Sequence, residues 1–183
     1  MPKNQYFSPD PYKVYLARCQ KELKNWGLPL SGWECGGVSD VCEDDEDAPL
    51  AECELCGCSR VRFVHHMFHS ACPLGMDVGC VCAGVMEGNL LAARERERQM
   101  RNRARLRHSF IHRPWKTNPG NGVRSRTYRH QSILLIPING GYMVRVNGRT
   151  TLRYKGKPIG NLMAAAYAAF EMADPASEVM KHA

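Results

Sequence analysis

Two pairs of closely spaced cysteines offer the clearest chemistry in this chain. Cys53 and Cys56 enclose two residues and are followed by Gly57, while Cys80 and Cys82 enclose one residue. Short turns of this kind present two thiolates to one ion, which is typical of a tetrahedral zinc site. The nine cysteines are an odd number, which does not suit a closed disulfide framework. The spacing therefore predicts a structural zinc ion whose binding contributes to folding.

The second cysteine pair leaves the fourth ligand open. With only one residue between them, Cys80 and Cys82 could bind the same ion only in a strained geometry. Otherwise one of the two binds, with Cys82 favoured inside the first turn of a helix, and a histidine completes the set. We predict metal ligands from Cys53, Cys56, Cys80, Cys82 and His69, with His66 as an alternative to His69 and with Cys58 and Cys72 as weaker candidates.

The elements that must position these ligands follow from the pattern around them. Residues 61–69 alternate like one arm of a hairpin, and residues 72–79 supply the turn and the returning strand. A long helix is expected from about Cys80 to His108. Turn, hairpin and ligands at a helix N-terminus occur in the same order in treble-clef zinc fingers, which residues 50–92 resemble. The second cysteine pair differs from the treble-clef pattern, because it encloses one residue where treble clefs commonly have two.

A catalytic alternative rests on the residues that follow the first cysteine pair. Cys-x-x-Cys followed by Val64-His65-His66 looks like the opening of a His-Asn-His endonuclease, in which one histidine activates water. The resemblance implies roles for His65, His66 and Asn89. The expected helix offers no histidine before His108 to hold the catalytic metal. We therefore favour a non-catalytic role, in which His65, His66 and His69 are structural or contact phosphate.

Charge is distributed unevenly along the chain. Residues 1–58 hold five Lys/Arg and eleven Asp/Glu, whereas residues 94–157 hold seventeen Lys/Arg and two acids. Seven arginines lie between Arg94 and Arg107, where only Glu95 and Glu97 could pair with them. This asymmetry predicts a polyanionic partner, with nucleic acid the first choice and DNA ahead of RNA. The predicted contacts are Arg94, Arg98, Arg101, Arg105, Arg145, Arg149 and Arg153.

The C-terminal part predicts a second module. Residues 132–138, 142–146 and 150–155 have the character of strands, separated by Asn-Gly turns, and an alanine-rich helix is expected over residues 159–173. A three-stranded antiparallel sheet covered by one helix would follow, with Arg145 and Arg153 on the open face. The runs in residues 141–146, 152–154 and 164–170 resemble the DNA-binding domains of plant ethylene-response factors and the arm-binding domains of tyrosine integrases. That resemblance implies that the sheet would contact DNA and recognise its sequence.

The N-terminal part completes the expected organisation. Asp10-Pro11 opens an amphipathic helix that ends at Gly27, and residues 27–49 have a loop-like composition with an acidic run over residues 43–47. This acidic linker could engage a basic protein partner, which makes a protein–protein adaptor a further alternative. The fold class is α+β. The expected domains are 1–48 (helix and acidic linker), 49–108 (zinc module with an arginine-rich helix) and 109–183 (sheet and helix).

The start of the chain has no apolar run of the kind found in secretory signals, and no segment is apolar enough for a membrane helix. The expectation is a soluble protein located in the cytoplasm, with no membrane partner.

Overall fold

The computed structural model describes residues 11–175. In this range the chain forms four helices and ten strands. The helices are α1 (Pro11–Asn25), α2 (Cys80–Met86), α3 (Leu90–His112) and α4 (Leu162–Ala173). The strands are β1 (Glu34–Asp40), β2 (Phe63–His69), β3 (Cys72–Val78), β4 (Lys116–Thr117), β5 (Arg124–Tyr128), β6 (Gln131–Ile138), β7 (Gly141–Val146), β8 (Arg149–Thr151), β9 (Arg153–Tyr154) and β10 (Lys157–Pro158). The chain divides into two compact units between Met100 and Arg101, inside α3.

The first unit is built around a three-stranded antiparallel sheet. Strands β1, β2 and β3 pair in that order, and the expected hairpin of β2 and β3 is confirmed. Its core includes Leu23 from α1, Met67 from β2 and Met86 from α2, all without solvent exposure. Helix α1 ends in a Schellman motif, in which Leu28 N–H donates to Leu23 O over 2.9 Å while Gly27 adopts a φ of +67°.

The second unit is built around a five-stranded antiparallel sheet. Its strand order is β4-β5-β6-β7-β8, and β9 and β10 form a separate two-stranded ribbon. Alternate residues of β6 and β7 are buried and belong to one core with α4: Ile133, Leu135, Val144, Val146, Ala165, Ala169 and Phe170. Asn161 is the N-cap of helix α4, and its Oδ1 accepts a hydrogen bond from Ala164 N–H over 2.8 Å.

Three expectations from the sequence need correction. Residues 34–40, expected to be loop, form strand β1, because pairing with β2 outweighs their low strand propensity. Gly36 permits this pairing, since a Cβ there would lie 2.5 Å from the ring of Phe68. The long helix expected from Cys80 is two helices, since Gly88 has a φ of +71° and Asn89 Oδ1 accepts from Ala92 N–H at the start of α3.

The third correction concerns the C-terminal sheet. It has five strands where three were expected, because the basic segment before residue 131 contributes β4 and β5. The strand expected over residues 150–155 is divided into β8, which completes the sheet, and β9, which pairs with β10. Arg153 therefore lies in the ribbon and not in the sheet.

Candidate functional site

The first cysteine pair lies on a tight turn between β1 and β2. Gly57 N–H donates to Cys53 O over 2.8 Å, and Gly57 has a φ of +69°, a conformation that favours glycine. Cys53 N–H also donates to Cys58 O over 2.9 Å. This folded-back turn brings the thiols of Cys53 and Cys56 to the same side.

The third sulfur comes from helix α2. Cys82 lies in the first turn of this helix, and its Sγ is 3.5 Å from the Sγ of Cys53. Gly79 N–H, directly before the helix, donates to Cys53 Sγ over 3.4 Å. The sulfurs of Cys53, Cys56 and Cys82 all lie within 4.8 Å of one another. The structure thus brings together a three-cysteine group that could hold a metal ion.

The three thiols fit a thiophilic divalent metal. With metal–sulfur bonds of about 2.3 Å, a tetrahedron has sulfur–sulfur edges of about 3.8 Å, close to the spacing found here. Cys53 and Cys82 are each only 1% exposed, whereas Cys56 is half-buried. Hydrogen bonding between the two thiols lowers the pKa of Cys53 and raises that of Cys82, so the pair shares a proton that a metal ion would displace.

Two sequence-predicted ligands lie outside this group. Cys80 precedes Cys82 by two positions, which is about 200° around a helix, so the two side chains leave the helix on different sides. Cys80 is half-buried, and burial raises the pKa of its thiol to about 12. The Nδ1 of His69 accepts from Ala71 N–H over 2.9 Å, and its ring packs 5.4 Å from that of Trp33.

The alternative histidine and the two weaker cysteine candidates also have separate surroundings. His66 lies in a polar chain across the sheet, with Nδ1 2.7 Å from Asp77 Oδ1 and Nε2 2.9 Å from Ser39 Oγ. Cys58 is exposed, and Cys72 pairs with His69 at the end of the hairpin.

Helix α1 contributes a cysteine that the sequence reasoning missed. Cys19 is 1% exposed, and its Sγ lies 3.9 Å from that of Cys82. One turn earlier, the hydroxyl of Tyr15 lies 3.0 Å from the same sulfur. Burial raises the pKa of Tyr15 above its usual range. A single cysteine on the apolar stripe of a helix has no spacing signal, so nothing in the sequence separates it from an ordinary core residue.

The arginines of α3 fall into two groups. Arg96, Arg103 and Arg107 are turned inward, with Arg103 only 4% and Arg107 only 6% exposed. Arg96 pairs with Glu87 over 2.5 Å, and Arg103 pairs with Glu171 over 2.5 Å. The guanidinium of Arg103 lies 5.1 Å from the centre of the Phe170 ring, and that of Arg107 lies 5.9 Å from the centre of the Tyr167 ring.

The remaining arginines of α3 are exposed and share one side of the helix. They are Arg94, Arg98, Arg101 and Arg105. Their spacing of four, three and four residues keeps them in one stripe of an α-helix. Arg98 also pairs with Glu95 over 2.6 Å. The seven arginines together therefore surround the helix, while the four that face solvent form one line.

The three arginines predicted in the C-terminal module occupy different places. Arg145 is exposed, and the alternation of β7 puts it on the sheet face opposite the buried Val144 and Val146. Arg149 donates to Met172 O of α4 over 3.1 Å, so it lies on the helix-covered side. Arg153 donates to Gly156 O over 2.8 Å within the ribbon. These residues are all exposed, but they do not share one face.

The residues of the nuclease alternative have structural contacts. His65 is fully buried, with its Nε2 3.3 Å from Ala93 O, and burial lowers its pKa. Asn89 caps α3 through its side-chain oxygen. His66 remains partly exposed, between Ser39 and Asp77.

Comparison with known protein families, with curated proteins and with solved structures gives no match for this chain. Among residues 11–175, none of the helices combines the length and apolar composition needed to cross a membrane.

Proposed function

We propose that this protein is a non-catalytic nucleic-acid-binding protein with a structural zinc centre, and that DNA is its preferred partner over RNA. Cys53, Cys56 and Cys82 supply thiolates to the zinc. In this proposal the cysteine turn, the β2–β3 hairpin and α2 form a module of the treble-clef type. The purified protein is expected to contain one zinc per chain, which elemental analysis measures.

Zinc is proposed over other metals because of the donor set. Three thiols with no carboxylate among them favour soft or borderline ions, and zinc binds such sites without redox chemistry. The burial of two of the three sulfurs supports a structural role, since Cys53 and Cys82 are each 1% exposed. Metal binding then adds to the stability of a unit whose apolar core is small.

The exposed arginine stripe of α3 is the observation that carries the nucleic-acid proposal. Arg94, Arg98, Arg101 and Arg105 lie on one side of a 23-residue helix. A row of guanidinium groups of this kind suits the phosphate backbone, where positive charges release condensed counterions and geometry matters less. Arg145, on the open face of the sheet, is a further exposed contact of the second unit.

Salt dependence of binding tests this proposal. The affinity of the full chain for a duplex DNA and for a duplex RNA is measured by fluorescence anisotropy at several salt concentrations. A variant with all four stripe arginines changed to glutamine should flatten the slope of log K against log salt by about 0.9 per lost contact on DNA, roughly 3–4 in total. Binding should also weaken at every salt concentration.

Helix α1 provides a matched control. It carries four exposed basic residues, Lys13, Arg18, Lys21 and Lys24, so changing all four to glutamine removes the same net charge from another element. This control should keep the wild-type slope. Binding that is insensitive to salt, or equal losses in the two variants, would refute a specific role for the α3 stripe.

A further inference from the structure

We propose that Cys19 of helix α1 is the fourth ligand of the zinc centre, so that the site is a four-cysteine site. This inference rests on the proposed zinc centre and departs from the ligand set expected from the sequence. It joins α1 to α2 and to the cysteine turn through one ion.

The Cys19 sulfur lies one tetrahedral edge away from the sulfur of Cys82. Its distance to Cys82 Sγ is 3.9 Å, close to the edge of about 3.8 Å expected for four thiolates around zinc. Cys19 lies outside the set of three sulfurs that are all within 4.8 Å of one another, so its binding requires the side chain to move toward Cys53 and Cys56. Cys19, like Cys53 and Cys82, is 1% exposed, so the sulfur is turned into the same buried space.

Two groups that can donate hydrogen bonds lie beside the sulfurs, as expected for the outer shell of a metal site. The Tyr15 hydroxyl lies 3.0 Å from Cys82 Sγ, and Gly79 N–H lies 3.4 Å from Cys53 Sγ. Donors of this kind stabilise metal-bound thiolates and orient them. Tyr15 and Cys19 are four residues apart and so lie on the same face of α1. This face would supply both a metal ligand, Cys19, and a hydrogen-bond partner for the Cys82 thiolate, Tyr15.

The competing cysteine, Cys80, is poorly placed for this corner. It leaves α2 on a different side from Cys82, about 200° around the helix. His69, the competing histidine, uses its Nδ1 to accept a backbone N–H and packs against Trp33.

Cobalt substitution distinguishes the ligand sets. The full chain is titrated with Co²⁺ under reducing, oxygen-free conditions, and the absorption of the wild type is compared with that of Cys19→His, Cys19→Ser and Cys80→Ser. For Cys19→His we expect d–d bands shifted to shorter wavelength and a thiolate-to-cobalt charge-transfer band weaker by roughly a quarter, since three of four thiolates remain. Cys80→Ser should match the wild type.

Zinc affinity is measured in parallel by competition with a chromophoric chelator. Cys19→Ser should weaken zinc binding by more than about 100-fold, because losing a ligand exceeds the 10–100-fold loss typical of an outer-shell partner. X-ray absorption of the zinc-loaded wild type adds a readout that needs no variant. It should count four sulfurs at about 2.3 Å.

The outcomes separate this inference from the proposed function. A wild type that binds neither cobalt nor zinc refutes the zinc centre itself. Metal binding that is lost in Cys82→Ser but unchanged in Cys19→His and Cys19→Ser leaves the zinc centre intact and refutes the role of Cys19. A spectral change in Cys80→Ser with none in Cys19→His assigns the fourth position to Cys80, which also refutes the role of Cys19.

Discussion

At the scale of single residues, this chain uses arginine in two different ways on one helix. Arg103 and Arg105 are two positions apart, yet Arg103 is buried against Phe170 and Glu171 while Arg105 faces solvent. A buried guanidinium has to be paired, because an unpaired charge in the core costs several kcal/mol. The same residue type therefore stabilises the second unit at one position and remains available to a polyanion at the other.

Alanine substitution at these two positions should separate stability from binding. Arg103→Ala should lower the free energy of unfolding by about 2 kcal/mol, less than for a fully buried pair because Glu171 is partly exposed. Arg105→Ala should change stability by less than about 0.5 kcal/mol and should weaken DNA binding. Chemical denaturation and anisotropy give the two readouts. Equal stability losses would contradict the division of roles.

The phenol of Tyr128 predicts a dependence of stability on high pH. Burial and the neighbouring Asp174, 3.0 Å from the hydroxyl, raise the pKa of Tyr128 to about 12. In the unfolded chain this phenol ionises near pH 10, so its contribution to stability is complete below pH 10 and is lost as pH rises from about 10 to 12. Absorbance titration of phenolate should detect a tyrosine that ionises late.

Tyr128→Phe is the matched variant for this titration. The absorbance change near pH 12 should be smaller by one tyrosine in this variant, while Tyr15, whose pKa is also raised, and the other tyrosines titrate as before. A late phase of unchanged size in Tyr128→Phe would contradict the assignment to Tyr128.

At the scale of elements, the break between α2 and α3 brings the two helices into close contact. Gly84 is buried in α2, and Leu90 at the start of α3 lies directly against it. A Cβ on residue 84 would lie 2.7 Å from Leu90 Cα, a backbone atom that cannot turn aside. A glycine is therefore needed for the two helices to approach this closely.

Gly84→Ala should destabilise the first unit and weaken its metal binding. The overlap costs roughly 1–3 kcal/mol, and the higher helix propensity of alanine returns up to about 1 kcal/mol. Because α2 carries Cys82, its displacement should also reduce zinc affinity. Thermal unfolding and chelator competition measure the two effects. Gly160→Ala, where no atom lies within 4 Å of the added Cβ, should leave both unchanged.

At the scale of the whole molecule, each unit has its own core. The first combines α1, the β1–β3 sheet and α2, and the second combines the five-stranded sheet with α4. The cysteine group belongs to the first unit alone. Loss of the proposed zinc ion should therefore destabilise the first core and leave the second unchanged.

Metal removal from the full chain tests this separation. A strong chelator should reduce amide hydrogen-exchange protection in α1, β2 and α2, because a metal present at 1,000 times its Kd contributes about 4 kcal/mol to the folded state. Amides of β6 and β7 should keep their protection. Mass spectrometry of peptides from the exchanged protein resolves the two regions. Uniform loss of protection would contradict separate cores.

The sequence by itself determined those features that depend on neighbours along the chain. The Cys53 turn, the β2–β3 hairpin, the Gly27 helix end and the β6–β7 hairpin all follow from local spacing and turn chemistry. The exposed arginines were also identifiable as candidates, since the shortage of nearby acids is visible in the sequence. Local patterns were sufficient because these features are stabilised within a few residues.

Only the tertiary structure decided what depends on distant partners. Strand β1 exists because β2 pairs with it, and Arg103 is buried because α4 supplies Phe170 and Glu171. Cys19 approaches Cys82 across 63 positions of sequence, a separation over which spacing conveys nothing. Long-range strand pairing and burial depend on which elements pack together. The free energy of that packing comes from contacts between distant segments, so no single segment determines it.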